Sequence, residues 1–165
     1  MFIGREKELA ILDNLYNSDK FEFAVIYGRR RVGKTALISH FIQDKKAIYF
    51  MGVESNEKQN LENFSQAVFE CNTGGMIGSS FMSFQAALEY VFKISESERL
   101  VLVIDEYSYV AKSSKSLAST LQMLIDKNKD NSKLMLILCG SSMSYMEDNL
   151  SLIHISEPTR HLRIS

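Results

Sequence analysis

Residues 23–42, Phe23-Ala24-Val25-Ile26-Tyr27-Gly28-Arg29-Arg30-Arg31-Val32-Gly33-Lys34-Thr35-Ala36-Leu37-Ile38-Ser39-His40-Phe41-Ile42, decide how this chain is read. An apolar, strand-like run leads into a glycine-framed basic loop, and a helical pattern leads out. The loop, residues 28–35, fits G-x-x-x-x-G-K-[ST], and strand, loop, helix is the setting in which that pattern has meaning. Its glycines let the backbone turn tightly, so that successive N–H groups aim at phosphate oxygens. The start of the following helix adds a positive dipole end. Lys34 is placed to reach the β- and γ-phosphates, and the Thr35 hydroxyl to ligate Mg²⁺. The expected nucleotide-binding set is therefore Gly28, Arg29, Arg30, Arg31, Val32, Gly33, Lys34, Thr35 and Ala36. The side chains of the Arg29-Arg30-Arg31 triplet are expected to project into solvent or toward a neighbouring subunit or domain.

Working outward, the same alternation recurs. Leu9, Leu12 and Leu15 or Tyr16 repeat at helical spacing before the loop. Residues 46–51 read as a second strand. Ser55 or Asn56 caps a helix carrying Leu61, Phe64 and Val68, and Ser83 caps another with Phe84, Ala87, Leu88 and Val91 inward. Leu100-Val101-Leu102-Val103-Ile104 and Leu134-Met135-Leu136-Ile137-Leu138-Cys139 are continuous apolar strands of the kind buried on both faces of a parallel sheet. A helix with Leu117, Leu121, Leu124 and Ile125 lies between them. Strands alternating with helices predict an α/β fold, a P-loop NTPase core with a parallel sheet flanked by helices. Ligands of such sheets bind beyond the carboxyl ends of the strands.

Two of those strand ends carry polar groups. Residues 100–104 deliver Asp105 and Glu106 to the same edge as the loop. Asp105 is expected to join Thr35 at Mg²⁺, and Glu106 to polarise an attacking water. The last strand ends in Gly140-Ser141-Ser142, where a hydroxyl, Ser141 ahead of Ser142, is expected to sense the γ-phosphate. Asn128-Lys129-Asp130 is one residue short of a guanine-reading N-K-x-D and precedes its strand, so guanine specificity has no support. At the N-terminus, Gly4 permits a tight backbone approach and Phe2 and Ile3 could cover an adenine ring, but the spacing around Gly4 and Arg5 alone favours a helix start with Glu6 and Glu8 near its N-terminus.

Composition sets the outer bounds. At 165 residues, with 45% hydrophobic and 24% charged, the chain has material for one globular core. A net charge of −1 gives no support for nucleic-acid binding by bulk charge. Cys71 and Cys139 are far apart and lack metal-site spacing, so both are expected to be reduced, buried thiols of a cytoplasmic protein. The apolar runs are strand-sized, and no membrane contact is expected.

Composition shifts near residue 150. The only proline, Pro158, and two of the three histidines, His154 and His161, fall beyond it, against an average proline usage near 5%. The stretch LSLIHISEPTR, residues 150–160, resembles the in-frame translation of a transposase adapter used in DNA sequencing libraries. The expected division is an ATPase domain over 1–149, in its N-terminal part only, and a non-native tail over 150–165. A truncated core of this kind would lack its last strand and lid and leave one sheet edge, beside the loop strand, open. Genomic DNA read across this junction by an independent method is the check on that expectation.

Four segments in order, FIGREKEL (2–9), YGRRRVGKT (27–35), LVLVIDEYSYV (100–110) and LMLILCGSS (134–142), resemble the archaeal-type ATPase family, prokaryotic P-loop ATPases related to the AAA+ and STAND ATPases. The resemblance covers roughly residues 1–149. It implies adenine over guanine, Gly4 and Arg5 near the base or ribose, Glu106 as the catalytic glutamate and Ser141 as the first sensor, with Lys34 and Glu106 acting on the transferring phosphate and on water. It implies ATP and Mg²⁺ as cofactors and ATP hydrolysis coupled to conformational change in further domains. It also implies a homo-oligomer or C-terminal domain as partner, with any nucleic-acid contact made through that further part. The alternatives are a nucleotide-gated switch with little hydrolysis and a small-molecule kinase. The carboxylate pair Asp105-Glu106 argues against the kinase, which must exclude water.

Overall fold

The computed structural model describes residues 5–28, 33–72, 80–141, 143–150, 153 and 159–164. Strands β1 (Glu22–Tyr27), β2 (Ala47–Met51), β3 (Leu100–Asp105), β4 (Leu134–Gly140) and β5 (Arg160–Arg163) form one sheet. Their order is β2-β3-β4-β1-β5, and every adjacent pair is parallel. Strands β3 and β4 are buried at every residue, as their unbroken apolar runs require. Parallel pairing brings all carboxyl ends to one rim. There Met51 lies opposite Asp105, Ile104 opposite Leu138 and Tyr27 opposite Gly140.

Alternate residues divide the core between the two faces. Helices α1 (Glu6–Asn17) and α2 (Lys34–Ile42) cover one face, packing Leu12, Leu37, Ile38 and Phe41 on Ala24, Ile26, Val101, Val103, Ile137 and Cys139. The opposite face takes α3 (Glu57–Asn72), α4 (Phe84–Ile94), α5 (Tyr107–Ser113), α6 (Leu117–Asn128) and α7 (Met143–Leu150). Two expected caps are made. Ser83 accepts from the Ala86 N–H at 3.0 Å, and Asn56 accepts from the Gln59 N–H at 2.9 Å. At the amino rim, Arg99 ties four segments together. It donates to the carbonyls of Leu15 at 2.7 Å and Lys133 at 2.8 Å, bonds that of Lys20, and lies over the Tyr16 ring.

Two expectations are corrected. The sheet is not short of a strand: Arg160–Arg163 pairs with β1, and the Ile164 N–H donates to the Tyr27 carbonyl at 2.9 Å. The cause is alternation within the segment that composition had set aside. Leu162 and Ile164 turn inward to the α1–α2 core while Arg160, His161 and Arg163 stay exposed, so the edge of β1 is covered. Helices α5 and α7, seven and eight residues long, are additions to the sequence reading. Cys71 is only partly buried, whereas Cys139 is fully enclosed, and both are free thiols.

Gly52 fixes how β2 leaves the rim. Its N–H donates to the Asp105 carbonyl at 2.8 Å. A Cβ there would stand 2.5 Å from Val110 Cγ2 and 2.7 Å from the Glu106 carbonyl oxygen, and the latter is backbone that cannot rotate away. Gly52→Ala is therefore expected to destabilise the fold by about 1–3 kcal/mol, the range for overpacking, read as a lower midpoint in urea.

Candidate nucleotide site at the carboxyl rim

The loop strand β1 is held in line beyond its end, because the Gly28 N–H continues the ladder to the Gly140 carbonyl at 3.4 Å. Residues 29–32 lie outside the described residues, so Arg29, Arg30, Arg31 and Val32 are not placed; the same holds for Gly4 and Ser142. The chain resumes at Gly33, whose φ of 91° is left-handed and open to glycine with little strain. Gly33 is the N-cap of α2, and Lys34 is the first residue of the helix. Lys34 is 8% exposed, and its ammonium donates across the loop to the Gly28 carbonyl at 2.9 Å. A buried cation at a helix N-terminus, where the dipole is also positive, is an environment that favours an anion. Thr35 and Ala36 follow on the exposed side of the first turn.

Arg5 comes to the same place. A Cβ built on Gly33 would lie 3.9 Å from both Nε and Nη2 of Arg5, which puts the guanidinium against the last glycine of the loop. It also pairs with Glu8 at 3.4 Å, both side chains being about one-fifth exposed.

Across the rim, Asp105 closes β3 with only 3% of its surface exposed. A buried carboxylate needs hydrogen bonds to offset its lost hydration. Asp105 Oδ1 accepts from the Glu106 N–H at 2.8 Å, and Oδ2 accepts from the Tyr49 hydroxyl of β2. Burial, then the hydrogen bond from this hydroxyl to Asp105, pushes the Tyr49 pKa far above the usual tyrosine range, so the hydroxyl keeps the proton it donates to Asp105. Tyr49 was read from sequence merely as a strand residue. The signal that could have found it is register: Tyr49 pairs with Val103 and Met51 with Asp105, so Tyr49 and Asp105 share a face.

Glu106 is the N-cap of α5 and holds φ 51°, ψ 46°, a left-handed conformation that L-residues seldom adopt. The residues after it hold it there. Tyr107 is fully buried and donates to Asn149 Oδ1 at 2.7 Å, and the Tyr109 N–H donates to the Glu106 carbonyl at 3.0 Å. Backbone strain at a polar rim residue is a known mark of a working site. Between the two halves lies Cys139 of β4. Burial raises its pKa well above the usual thiol value, the Asp105 charge adds to that and the Lys34 charge opposes it. β4 stands between β3 and β1 in the sheet, so the strand ends that carry Asp105 and Gly28 flank its own. Ser141, half-buried, follows directly after β4.

Among the described residues, no three His, Cys, Asp or Glu side chains gather as a metal cage. The residues expected to hold a cation, Asp105 and Thr35, offer one buried carboxylate and one exposed helix-start hydroxyl, all oxygen donors. That set fits Mg²⁺, which keeps much of its water and takes one or two protein carboxylates together with phosphate oxygens.

The fold agrees with what the chain is similar to. Residues 2–161 match the ATPase domain found predominantly in Archaea. The chain belongs to this family. An uncharacterised protein of Methanocaldococcus jannaschii is 30% identical over 155 residues, covering 91% of this chain and 32% of the relative. The Walker-type ATPase of Pyrococcus abyssi superposes with a TM-score of 0.68 at 15% identity, over 99% of this chain and 53% of that one. The ORC2 protein of Aeropyrum pernix, solved in ADPNP and ADP complexes, superposes with a TM-score of 0.63 at 20% identity, over 99% of this chain and 48% of that one. The chain thus spans about a third of the curated relative and about half of each solved neighbour. The expected resemblance and the P-loop α/β fold are both upheld, and nucleotide binding is supported at the level of the family. Among the described residues of this ATPase domain, no helix is long and apolar enough to cross a membrane.

The strain at Glu106 yields a prediction independent of turnover. Left-handed backbone costs an L-residue roughly 1–2 kcal/mol, and glycine gives back about half of that through its freer unfolded state. Glu106→Gly is expected to raise the melting temperature by about 1–3 °C, measured by calorimetric unfolding.

Proposed function

We propose that this ATPase domain binds Mg·ATP at the carboxyl rim and hydrolyses it, with Glu106 as the group that orients and deprotonates water. The observation that carries the reading is Lys34: a buried ammonium at the start of α2, turned onto the Gly28 carbonyl. A neutral carbonyl is a weaker partner than a phosphate oxygen, so an arriving triphosphate is expected to draw the ammonium off it. Loop amides from Gly28 to Thr35 hold the phosphates, and Arg5, lying against Gly33, is placed to add positive charge beside them. Thr35 and Asp105 are the residues that would hold the cation. Mg²⁺, when bound, supplies charge neutralisation on the phosphate oxygens. Glu106 accepts a proton from water as it attacks in line, and Ser141 reports whether the γ-phosphate is present. The adenine preference rests on the family and on the nucleotides seen with the Aeropyrum neighbour.

The wider setting belongs to the same proposal. ATP, Mg²⁺ and two free thiols suit the cytoplasm. Relatives longer than this chain point to a further domain, or a second copy, as the element that turnover moves. Nucleic acid would be met only through that further part. Residues 1–149 hold every group the chemistry uses; residues 150–165 are read as a non-native extension that contributes a strand and no reacting group.

Two substitutions test the roles. Lys34→Ala removes a charged hydrogen-bond donor, a loss of about 1.5–3 kcal/mol, so ATP affinity measured by equilibrium dialysis is expected to fall about tenfold to a hundredfold. Unchanged affinity removes the loop assignment. Glu106→Gln is expected to hold ATP as the parent does and to lose phosphate release by about 10²-fold or more, the scale of general-base catalysis. Retained release removes Glu106 as the base. Tight binding by the parent chain without phosphate release supports the nucleotide-gated switch instead.

A further inference from the structure

Asp105 is the most heavily buried acid of the rim, and the way its carboxylate is held bears on how it would meet a cation. A carboxylate has about four lone-pair directions. One on Oδ1 is taken by the neighbouring Glu106 amide and one on Oδ2 by the Tyr49 hydroxyl. The first of these donors is local, lying one residue away. The second comes from another strand, fifty-six residues earlier in the chain.

The two bonds have different mechanical effects. The last torsion of an aspartate is broad and has no sharp staggered wells. A single amide on Oδ1 would leave Oδ2 free to swing. A second donor on Oδ2 fixes the plane of the carboxylate and leaves one lone pair on each oxygen for something else. Tyr49 is itself well placed to hold still. It sits in the middle of β2, paired to Val103, and β2 is tied to the end of β3 by the Gly52–Asp105 backbone bond at 2.8 Å. Its ring lies on the α1–α2 side of the sheet, packed against that core.

We infer that Tyr49 is a positioning residue for the divalent cation: its hydroxyl, bonded to Oδ2, sets the plane in which Asp105 meets the metal. This rests on the Mg·ATP reading above. Tyr49 touches neither nucleotide nor water in this scheme and acts only through Asp105. Nucleotide binding without a metal therefore does not need it, and nucleotide binding with a metal does.

The test is binding of a methylanthraniloyl-ATP probe to the full chain, titrated with Mg²⁺ and repeated in EDTA. Tyr49→Phe keeps the ring and removes only the hydroxyl. It is expected to raise the Mg²⁺ concentration at half-maximal enhancement of probe binding about three- to tenfold, and to leave the affinity in EDTA within twofold of the parent. A variant weakened only in its fold would lose affinity in both arms. Tyr49→Leu, also without a hydroxyl, carries the same expectation where the first variant does not fold. A Mg²⁺ midpoint that is unchanged or lower, or an equal loss with and without metal, overturns the role of Tyr49 while the ATP reading stands. A parent chain that binds no probe in either arm overturns both.

Discussion

The sheet interior can hold no charge, and this constraint organises the molecule. Strands β3 and β4 are enclosed on both faces from end to end. A polar group on either strand can be satisfied only where the strand stops. Because every strand points the same way, the carboxyl ends stop together on one rim. Asp105, Gly140 with Ser141, and Gly28 are therefore neighbours by topology, although the chain separates the first and last of them by more than seventy residues. The amino rim has the opposite character. There Arg99 donates to backbone carbonyls, which stitches the fold together.

What happens at the carboxyl rim depends on backbone conformations that ordinary residues avoid. Gly33 and Glu106 both adopt left-handed geometry where a strand or loop gives way to a helix. At Gly33 the cost is small, because no Cβ opposes it. At Glu106 an acid stands where glycine would be easier, and the buried Tyr107, bonded to Asn149, keeps the turn in place. A residue that resists its own backbone conformation, next to the buried Asp105 carboxylate, points to selection for the side chain rather than for stability. Gly52 makes the complementary contribution: its lack of a side chain lets β2 turn away without pushing on Val110 or the Glu106 carbonyl.

The sequence made the central part of this arrangement readable because its signals are local. A glycine-framed loop between a strand and a helix, and two unbroken apolar strands ending in polar residues, can be recognised within a few residues each. The caps at Ser83 and Asn56 are of the same kind. Non-local relations were harder. Tyr49 meets Asp105 only through strand pairing, and Arg5 meets Gly33 only through the packing of α1 against α2. The β5 strand was set aside because its composition is foreign to the rest of the chain, yet Leu162 and Ile164 alternate correctly for an edge beside β1. Composition judged the origin of that segment, whereas pairing depends only on pattern. Helices α5 and α7 are short, and a period of 3.6 residues hardly declares itself over two turns.

The central claim is that the carboxyl rim is a site for a triphosphate and its cation. Isothermal titration of the full chain with Mg·ATP tests it most directly. The account predicts a saturable heat with one nucleotide bound per chain, markedly weaker with Mg·GTP. No heat up to millimolar Mg·ATP, from protein shown by circular dichroism to be folded, would contradict it.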